Sequence, residues 1–228
     1  MQESFHPSSR EQNLDLDRRQ GFAEKRKTLS KDLSNFLKIL HQDPSDQVAT
    51  TKGKEKRRKG PASKEQKIEF IQTIAPIAKK VGAKFGLPWQ AILLQAILES
   101  GWDLSKKTLH GIKKYRKDLP SFATKTKEFR NGKMKEEIGE FQDFGGSTQQ
   151  EKVINSCIGY CQFLLNNKRY KKAINTFRNG GTPRNFVKLV ADAGYATDPN
   201  YYNSLSNIAK SNDIDIDNPQ TFIDEELT

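Results

Sequence analysis

The sequence predicts a mostly α domain of the α+β class, with a small β-hairpin lobe and an extended N-terminal tether. Apolar residues recur at helical spacing in several segments between residues 63 and 210, which is typical of amphipathic helices. Residues 122–129 instead alternate between two faces and lead into Asn131-Gly132, a strong signal for a hairpin turn. We therefore expect an N-terminal segment at 1–62, a folded domain at 63–210 and an acidic tail at 211–228.

The N-terminal segment combines one short amphipathic helix with a basic linker. The apolar residues of this helix end before Pro44, and they are Leu29, Leu33, Phe36, Leu37 and Leu40. Because so short a helix is barely stable alone, it needs a surface to dock on, either a larger assembly or its own domain. Residues 45–62 include the basic run Lys52–Lys59. This run indicates a solvated tether, with nucleic-acid binding as the alternative.

The first helices of the domain lead to Glu99. Ser63 and Gln66 have the spacing of a capping box, which predicts a helix start. The apolar stripe that follows consists of Ile68, Ile71, Ala75, Ala78, Val81 and Phe85. Because Pro76 lies inside this stripe, we expect a kink or two consecutive helices. Pro88 opens the next helix, which is apolar on nearly all sides and therefore buried, with Glu99 in its last turn.

The predicted hairpin carries a second carboxylate. In a strand, Thr126 and Glu128 share one face and Phe129 lies on the other. Glu128 is far from Glu99 in the sequence, so the hairpin has to fold over the Glu99 helix to bring the two carboxylates together.

Capping residues and apolar spacing predict four more helices in residues 147–210. Ser147 or Thr148 caps the first, and Tyr170–Phe177 forms the second. Thr182-Pro183 and Asp198-Pro199 each place a capping side chain before a proline, which predicts the starts of the third and fourth helices.

Glu99 is the candidate catalytic acid. It closes an otherwise apolar run just before Ser100-Gly101 and Trp102. A carboxyl group at the edge of an apolar core loses hydration, so its pKa rises and it can hold a proton near neutral pH. The alternative is a helix-terminal glutamate that faces water.

Four motifs resemble those of one enzyme family, and they occur in the expected order. Residues 94–102 (LQAILESGW) resemble the signature AQAxLESGW, and residues 109–113 (LHGIK) resemble NLFGIK. Residues 126–129 (TKEF) and 194–199 (GYATDP) match TxEY/F and GYATDP. Over residues 66–210 the chain thus resembles the peptidoglycan-cleaving glucosaminidases, which include the muramidase domain of flagellar rod proteins and many Gram-positive autolysins.

The resemblance implies a lysozyme-like fold and a catalytic pair. Glu99 would protonate the departing sugar oxygen, and Glu128 would act as a base or stabilise the oxocarbenium-like transition state. The candidate substrate-binding residues are Tyr195, Trp102, Gln95, Phe129 and Lys113. This chain departs from the family at Thr108 and His110, where the family has Asn and Phe. His110 is therefore either a group that titrates near neutral pH or a packed neutral ring.

The implied function is hydrolysis of the β-1,4 glycosidic bonds of the peptidoglycan strand, of the N-acetylglucosaminidase type, within an assembly such as a phage tail or flagellar rod. The alternative is a structural component of such an assembly that binds the wall without cutting it. The net charge of +11 lies mainly on residues 66–210, and a basic surface attracts polyanions such as peptidoglycan. We expect no specific nucleic-acid partner.

We expect no cofactor and no metal, because no ligand spacing suggests either. Cys157 and Cys161 stand four residues apart in one helical segment, where a disulfide needs a distorted helix, so we expect core positions. No run approaches the roughly 20 apolar residues of a membrane span, and the first residues lack a secretory apolar core. We therefore expect synthesis in the cytoplasm and action at the cell wall or periplasm, with virion association as one route.

Overall fold

The computed structural model describes residues 60–130 and 132–219, together with Phe36 and Lys38. Phe36 and Lys38 are helical, and the rest of the predicted N-terminal helix lies outside the described residues, as does the basic run Lys52–Lys59. The contacts divide the chain into two units, and every element named below belongs to the unit Asp46–Thr228.

Six α-helices and one antiparallel hairpin make up the described part of this unit, which confirms the predicted mostly helical fold. The helices are α1 Lys64–Phe85, α2 Trp89–Ser100, α3 Gln149–Asn166, α4 Lys171–Arg178, α5 Pro183–Asp192 and α6 Tyr201–Ser211. A 3₁₀ turn at Lys168–Tyr170 joins α3 to α4, and the strands are β1 Ser121–Arg130 and β2 Lys133–Gln142. No described helix has the length and apolar character that crossing a membrane requires.

Helix α1 begins as predicted, but its buried face overlaps the predicted stripe only at Ala78 and Val81. The Ser63 hydroxyl accepts from the Gln66 amide and the Gln66 side chain accepts from the Ser63 amide, which is the predicted capping box. The helix continues through Pro76, so the alternative of two helices is wrong. Its buried residues are Phe70, Ile74, Ile77, Ala78, Val81 and Gly82. Ile68 of the predicted stripe is 45% exposed, because apolar residues occupy more than one face and spacing alone does not select the phase.

Helix α2 is the centre of the domain. Residues 91–97 are all buried, and the helix contacts α1, α3, α5 and α6. Pro88 directly precedes it, and Gly101 ends it with a φ of 62°, the left-handed conformation that glycine adopts at helix ends. The apolar sequence thus predicted its burial correctly.

The hairpin forms at the predicted turn. Arg130 pairs with Lys133 across Asn131-Gly132, and Gly132 has a φ of 77°, as a two-residue hairpin turn requires. Phe141 of β2 is buried and bridges to Lys113 in the preceding loop. The hairpin is therefore attached to this loop as well as to itself.

The later helices follow their predicted starts with one correction. Thr148, rather than Ser147, caps α3 in a capping box with Glu151, and Thr182 caps α5 with Pro183 in its first turn. Helix α6 begins only at Tyr201, because Asp198 accepts a hydrogen bond from the Asn200 amide and so closes a turn before the helix. Cys157 and Cys161 are buried free thiols, as predicted.

The domain continues past the expected boundary at residue 210. Ile214 and Ile216 are buried, and the Ile216 carbonyl accepts from the Arg184 amide at 2.8 Å. The Arg184 guanidinium also pairs with Asp217. The alternation of Ile and Asp in this segment places apolar side chains inward and carboxylates outward, so residues 213–218 pack on the domain although their composition is acidic.

Candidate active site

Glu99 lies in the last turn of α2, where burial changes its acidity. The Gln95 amide donates to Glu99 Oε1 at 3.0 Å. Desolvation by burial raises the pKa of Glu99 to about 7, against the lowering effects of Lys106 and of the Gln95 hydrogen bond. The charge on Glu128 raises this pKa further. Glu99 can therefore carry a proton at neutral pH, as an acid catalyst must.

Gln95 lies one turn before Glu99 in α2 and binds its carboxyl group. It is fully buried, and its side-chain oxygen accepts from the Tyr201 hydroxyl. This burial contradicts the predicted substrate contact of Gln95, because the side chain has no surface to offer a ligand. Its contacts show a residue that orients the Glu99 carboxyl.

Gly111 lies against the carboxyl group of Glu99. A Cβ atom at Gly111 would stand 2.9 Å from Glu99 Cδ, and the φ of Gly111 is 55°. Both the close approach and the left-handed backbone favour glycine here. The loop of residues 108–113 therefore confines Glu99 at Oε2, whereas Gln95 binds Oε1.

His110 anchors this loop as a neutral ring. It is fully buried, and desolvation lowers its pKa to about 3 against the raising effect of its hydrogen bond to Ile92. Nε2 lies 3.1 Å from the Ile92 carbonyl, which can only accept, so Nε2 carries the hydrogen. Nδ1 then accepts from the Ser156 hydroxyl at 2.9 Å. The packed-ring alternative is confirmed, and His110 does not titrate near neutral pH.

Ser156 of α3 holds the start of the same loop. Its oxygen accepts from the Leu109 amide at 2.9 Å and lies 3.3 Å from the Thr108 hydroxyl. Since the Ser156 hydrogen goes to His110, Thr108 is the donor of the 3.3 Å contact. Thr108, which stands where the resembled motif has Asn, thus contributes to the anchor of the loop.

Glu128 is an ionised carboxylate on the face of β1 that carries Thr126. It is 9% exposed. Oε1 accepts from Lys113 Nζ at 2.7 Å, and Oε2 accepts from the Thr197 hydroxyl at 2.9 Å. Burial alone would raise the pKa of Glu128, but the hydrogen bonds from Lys113 and Thr197 outweigh it and lower that pKa. The two carboxyl groups therefore differ in protonation at neutral pH.

Tyr195 contacts the loop of residues 108–113 beside Glu99. Its hydroxyl donates to the His110 carbonyl at 3.2 Å, and its ring stacks on Tyr201 at a centroid distance of 5.6 Å. Desolvation raises the pKa of Tyr195 well above its usual value. Its hydroxyl therefore stays protonated and able to donate at neutral pH.

Trp102 lies directly after α2 with a φ of 68°. Its ring packs edge-on against Phe70 at 5.6 Å, and Lys67 Nζ lies 5.5 Å from the ring centre. Trp102 is half-buried, so part of its ring is available to a ligand. Phe129 is also half-buried, on β1 next to Glu128.

The structure thus brings Glu99, Glu128, Lys113 and Tyr195 into one site. Four supporting residues were absent from the sequence prediction, namely Lys106, Gly111, Ser156 and Thr197. Lys106 Nζ donates to the backbone carbonyl of Glu99 at 2.9 Å. Gly111 and Thr197 lie within the LHGIK and GYATDP motifs, so the motifs contained them without indicating their contacts. Within the described residues, no group of three or more His, Cys, Asp or Glu side chains is arranged to hold a metal.

Comparison with curated proteins finds relatives that share one name. The chain is 34% identical over 152 residues to the peptidoglycan hydrolase FlgJ of Pseudomonas aeruginosa, which covers 62% of this chain and 36% of that protein. It is 30% identical over 150 residues to the protein of the same name from Vibrio parahaemolyticus, covering 62% of this chain and 46% of that one. The chain spans less than half the length of these relatives.

Solved structures share the fold. A peptidoglycan hydrolase mutant from Sphingomonas sp. A1 matches with a TM-score of 0.53 and 23% identity, over 64% of this chain and 94% of that one. The catalytic domain of the autolysin Auto from Listeria monocytogenes matches with a TM-score of 0.52 and 23% identity, over 68% and 88% of the two chains. At this identity the likeness establishes the architecture alone.

The sequence also matches a family model, which is described as glucosaminidase, mannosyl-glycoprotein endo-β-N-acetylglucosaminidase. The match runs from residue 75 to residue 214 and so includes α2, the hairpin, the GYATDP segment and the docked Ile214. Because this match spans more than half of the chain, the chain belongs to the glucosaminidase family.

Proposed function

We propose that this domain is a glycoside hydrolase that cleaves the β-1,4 bonds of the peptidoglycan glycan strand, at the N-acetylglucosamine side. Family membership supports the reaction class. The names of the curated relatives, peptidoglycan hydrolases, support the substrate. The basic charge of residues 66–210 favours a polymer that carries stem-peptide carboxylates.

The observation that carries this proposal is the difference between two carboxyl groups in one site. Glu99 has a pKa raised to about 7, whereas Glu128 has a lowered pKa. Glycoside hydrolysis needs a carboxylic acid to protonate the leaving oxygen and a carboxylate to activate water or stabilise the positive transition state. Environments that separate two pKa values in this way support an acid role for Glu99 and an anionic role for Glu128.

The reaction follows from these protonation states. Glu99 gives its proton to the glycosidic oxygen as the bond to the anomeric carbon breaks, and the departing sugar leaves with a free hydroxyl. Water adds to the anomeric carbon and loses a proton to a carboxylate of the pair. Among the other predicted residues, the half-exposed rings of Trp102 and Phe129 offer faces for sugar stacking. Tyr195 and Lys113 border the two carboxylates.

The wider setting is also proposed from the family resemblance. The N-terminal segment 1–62 would dock the enzyme on an assembly such as a flagellar rod or a phage tail, so that it acts locally at the cell wall. This part of the proposal is tested by comparing the 228-residue chain with a variant that lacks residues 1–62 for co-purification with assembly components.

Zymography on purified peptidoglycan tests the reaction. Wild-type protein should clear the substrate, and mass spectrometry should find a new reducing end on N-acetylglucosamine. Glu99→Gln should lose about 100-fold or more of the activity, the usual contribution of a general acid, and Glu128→Gln should also be impaired. Glu65→Gln serves as control, because Glu65 is exposed in the first turn of α1.

Two results would contradict the proposal. Clearing that persists in Glu99→Gln would remove Glu99 from the acid role. Wild-type protein that sediments with peptidoglycan without cutting it would support the alternative, a structural component that binds the wall.

A further inference from the structure

The Thr197 hydroxyl joins the hairpin to the segment between α5 and α6. It donates to Glu128 Oε2 at 2.9 Å and accepts from the Phe129 amide at 3.2 Å. One side chain thus holds two consecutive residues of β1. Glu128 and Phe129 lie near the end of β1 that leads into the turn, away from the Lys113–Phe141 bridge at the other end of β2.

The hairpin needs such an attachment. It has two strands, and an isolated two-stranded hairpin is marginally stable in water. Each strand contacts the other extensively, whereas none of the described helices packs extensively against either strand. The position of Glu128 relative to Glu99 therefore depends on a small number of specific contacts.

The segment that carries Thr197 is itself held firmly. The Tyr195 hydroxyl donates to the His110 carbonyl at 3.2 Å, and Arg169 donates to the Gly194 carbonyl at 3.2 Å. The first of these contacts leads directly to the loop that confines Glu99 through Gly111. Thr197 is thus attached to the Glu99 side of the site, while its hydroxyl holds the Glu128 side.

We propose that Thr197 is a positioning residue for the reaction, which fixes the hairpin so that Glu128 stands opposite Glu99. This inference rests on the proposed function. Lys113 holds Glu128 Oε1 at 2.7 Å, but it does so from the end of a long side chain that is 53% exposed. Thr197 is also exposed, but its hydroxyl is one rotatable bond from the backbone and contacts two residues of β1. Thr197 therefore determines where the strand lies, while Lys113 supplies charge.

Thr197→Val tests the hydroxyl with little change in shape. The valine keeps the branched side chain but can neither donate to Glu128 nor accept from Phe129. Loss of one hydrogen bond to a charged group corresponds to roughly a tenfold effect or more. We expect kcat on soluble glycan oligomers to fall roughly 10- to 100-fold with KM changed less than about threefold, because the loss concerns alignment more than substrate contact.

Two further variants separate this role from general destabilisation. Thr197→Ser restores a hydroxyl and should recover most of kcat. Thr176→Val makes the same chemical change on α4, which carries no residue of the site, and should leave kcat unchanged. A Thr197→Ser variant as impaired as Thr197→Val would overturn the proposal, since the hydroxyl would then not be the group that matters.

Amide hydrogen exchange reports the hairpin without requiring activity. In Thr197→Val, the amides of residues 121–142 should exchange faster than in wild type, while those of α2 keep their protection. Faster exchange in the hairpin supports the attachment even if wild-type protein fails to cut peptidoglycan, in which case only the proposed function fails. Unchanged hairpin exchange in Thr197→Val would overturn the inference.

Discussion

Replacing Gly111 with alanine tests how closely the loop of residues 108–113 confines Glu99, the proposed catalytic acid. The new Cβ would lie 2.9 Å from Glu99 Cδ, a separation that packed carbon atoms do not tolerate. Contact between such atoms is favourable only at about 3.5–4.0 Å, so one of the two groups must move by at least about 0.5 Å. Because Gly111 also has a φ of 55°, alanine adds a backbone cost of about 1 kcal/mol.

Gly101→Ala is the matched control. Gly101 has a φ of 62°, and a Cβ there would meet no atom within 4 Å. Both variants should therefore carry a backbone cost of about 1 kcal/mol of unfolding free energy, which corresponds to a Tm decrease of roughly 2–4 °C for a domain of this size, and Gly111→Ala should lose more because of its overlap with Glu99. Only Gly111→Ala forces the loop and the Glu99 carboxyl apart, and a misplacement near 1 Å in a site costs about 100-fold in rate.

The assay is release of reducing ends from peptidoglycan, measured beside thermal unfolding. We expect Gly111→Ala to lose about 100-fold in kcat, while Gly101→Ala stays within about threefold of wild type. Equal activities of the two variants would refute the argument, since the contact between Gly111 and the Glu99 carboxyl would then have no role in placing the acid.

Three other substitutions test separate parts of the structure. Folding raises the pKa of Glu99 from 4.5 to about 7, so the free energy of unfolding falls as the pH rises through this range. Because glutamine does not ionise, Glu99→Gln should raise Tm at pH 8 but not at pH 5. An equal change in Tm at both pH values would contradict the raised pKa of Glu99. Lys113→Met removes one of the hydrogen bonds that lower the pKa of Glu128, so this pKa should rise. The acidic limb of the pH profile of kcat/KM should then move to higher pH. An acidic limb that does not move would argue against an ionised Glu128. Ile216→Ala, at a side chain that is 2% exposed, should cost roughly 2–5 kcal/mol in urea unfolding, whereas the same change at Ile138, which is 76% exposed, should cost little. If the two changes cost the same, the C-terminal segment is not packed as described.

Much of the site was visible in the sequence because its signals are local. The capping box at Ser63, the turn at Asn131-Gly132 and the proline at the start of α5 each depend on neighbouring residues alone. Glu99 was identified for the same reason, since a carboxylate that ends an apolar helix has its desolvating surroundings in its own segment. The alternation around Glu128 also predicted its strand and its face correctly.

Other features were missed because they depend on which surfaces meet. The predicted stripe of α1 was partly out of phase, since more than one face carries apolar residues and only contact with α2 and α3 selects among them. The acidic composition after residue 210 concealed Ile214 and Ile216, whose burial depends on contacts with distant parts of the chain such as Arg184 of α5. Asp198 was assigned as a helix cap because its motif fits one, but the chain uses it in the preceding turn.

The sequence by itself determined most helix starts, the hairpin turn and the two candidate carboxylates, because caps, turns and periodicity act over a few residues. Only the tertiary structure decided how these carboxylates differ. Glu128 is separated from Thr197 by 69 positions in the chain, and the loop around Gly111 reaches Glu99 from outside its helix. Acidity depends on the groups that surround a carboxyl in space, and those groups are brought together only when the helices pack.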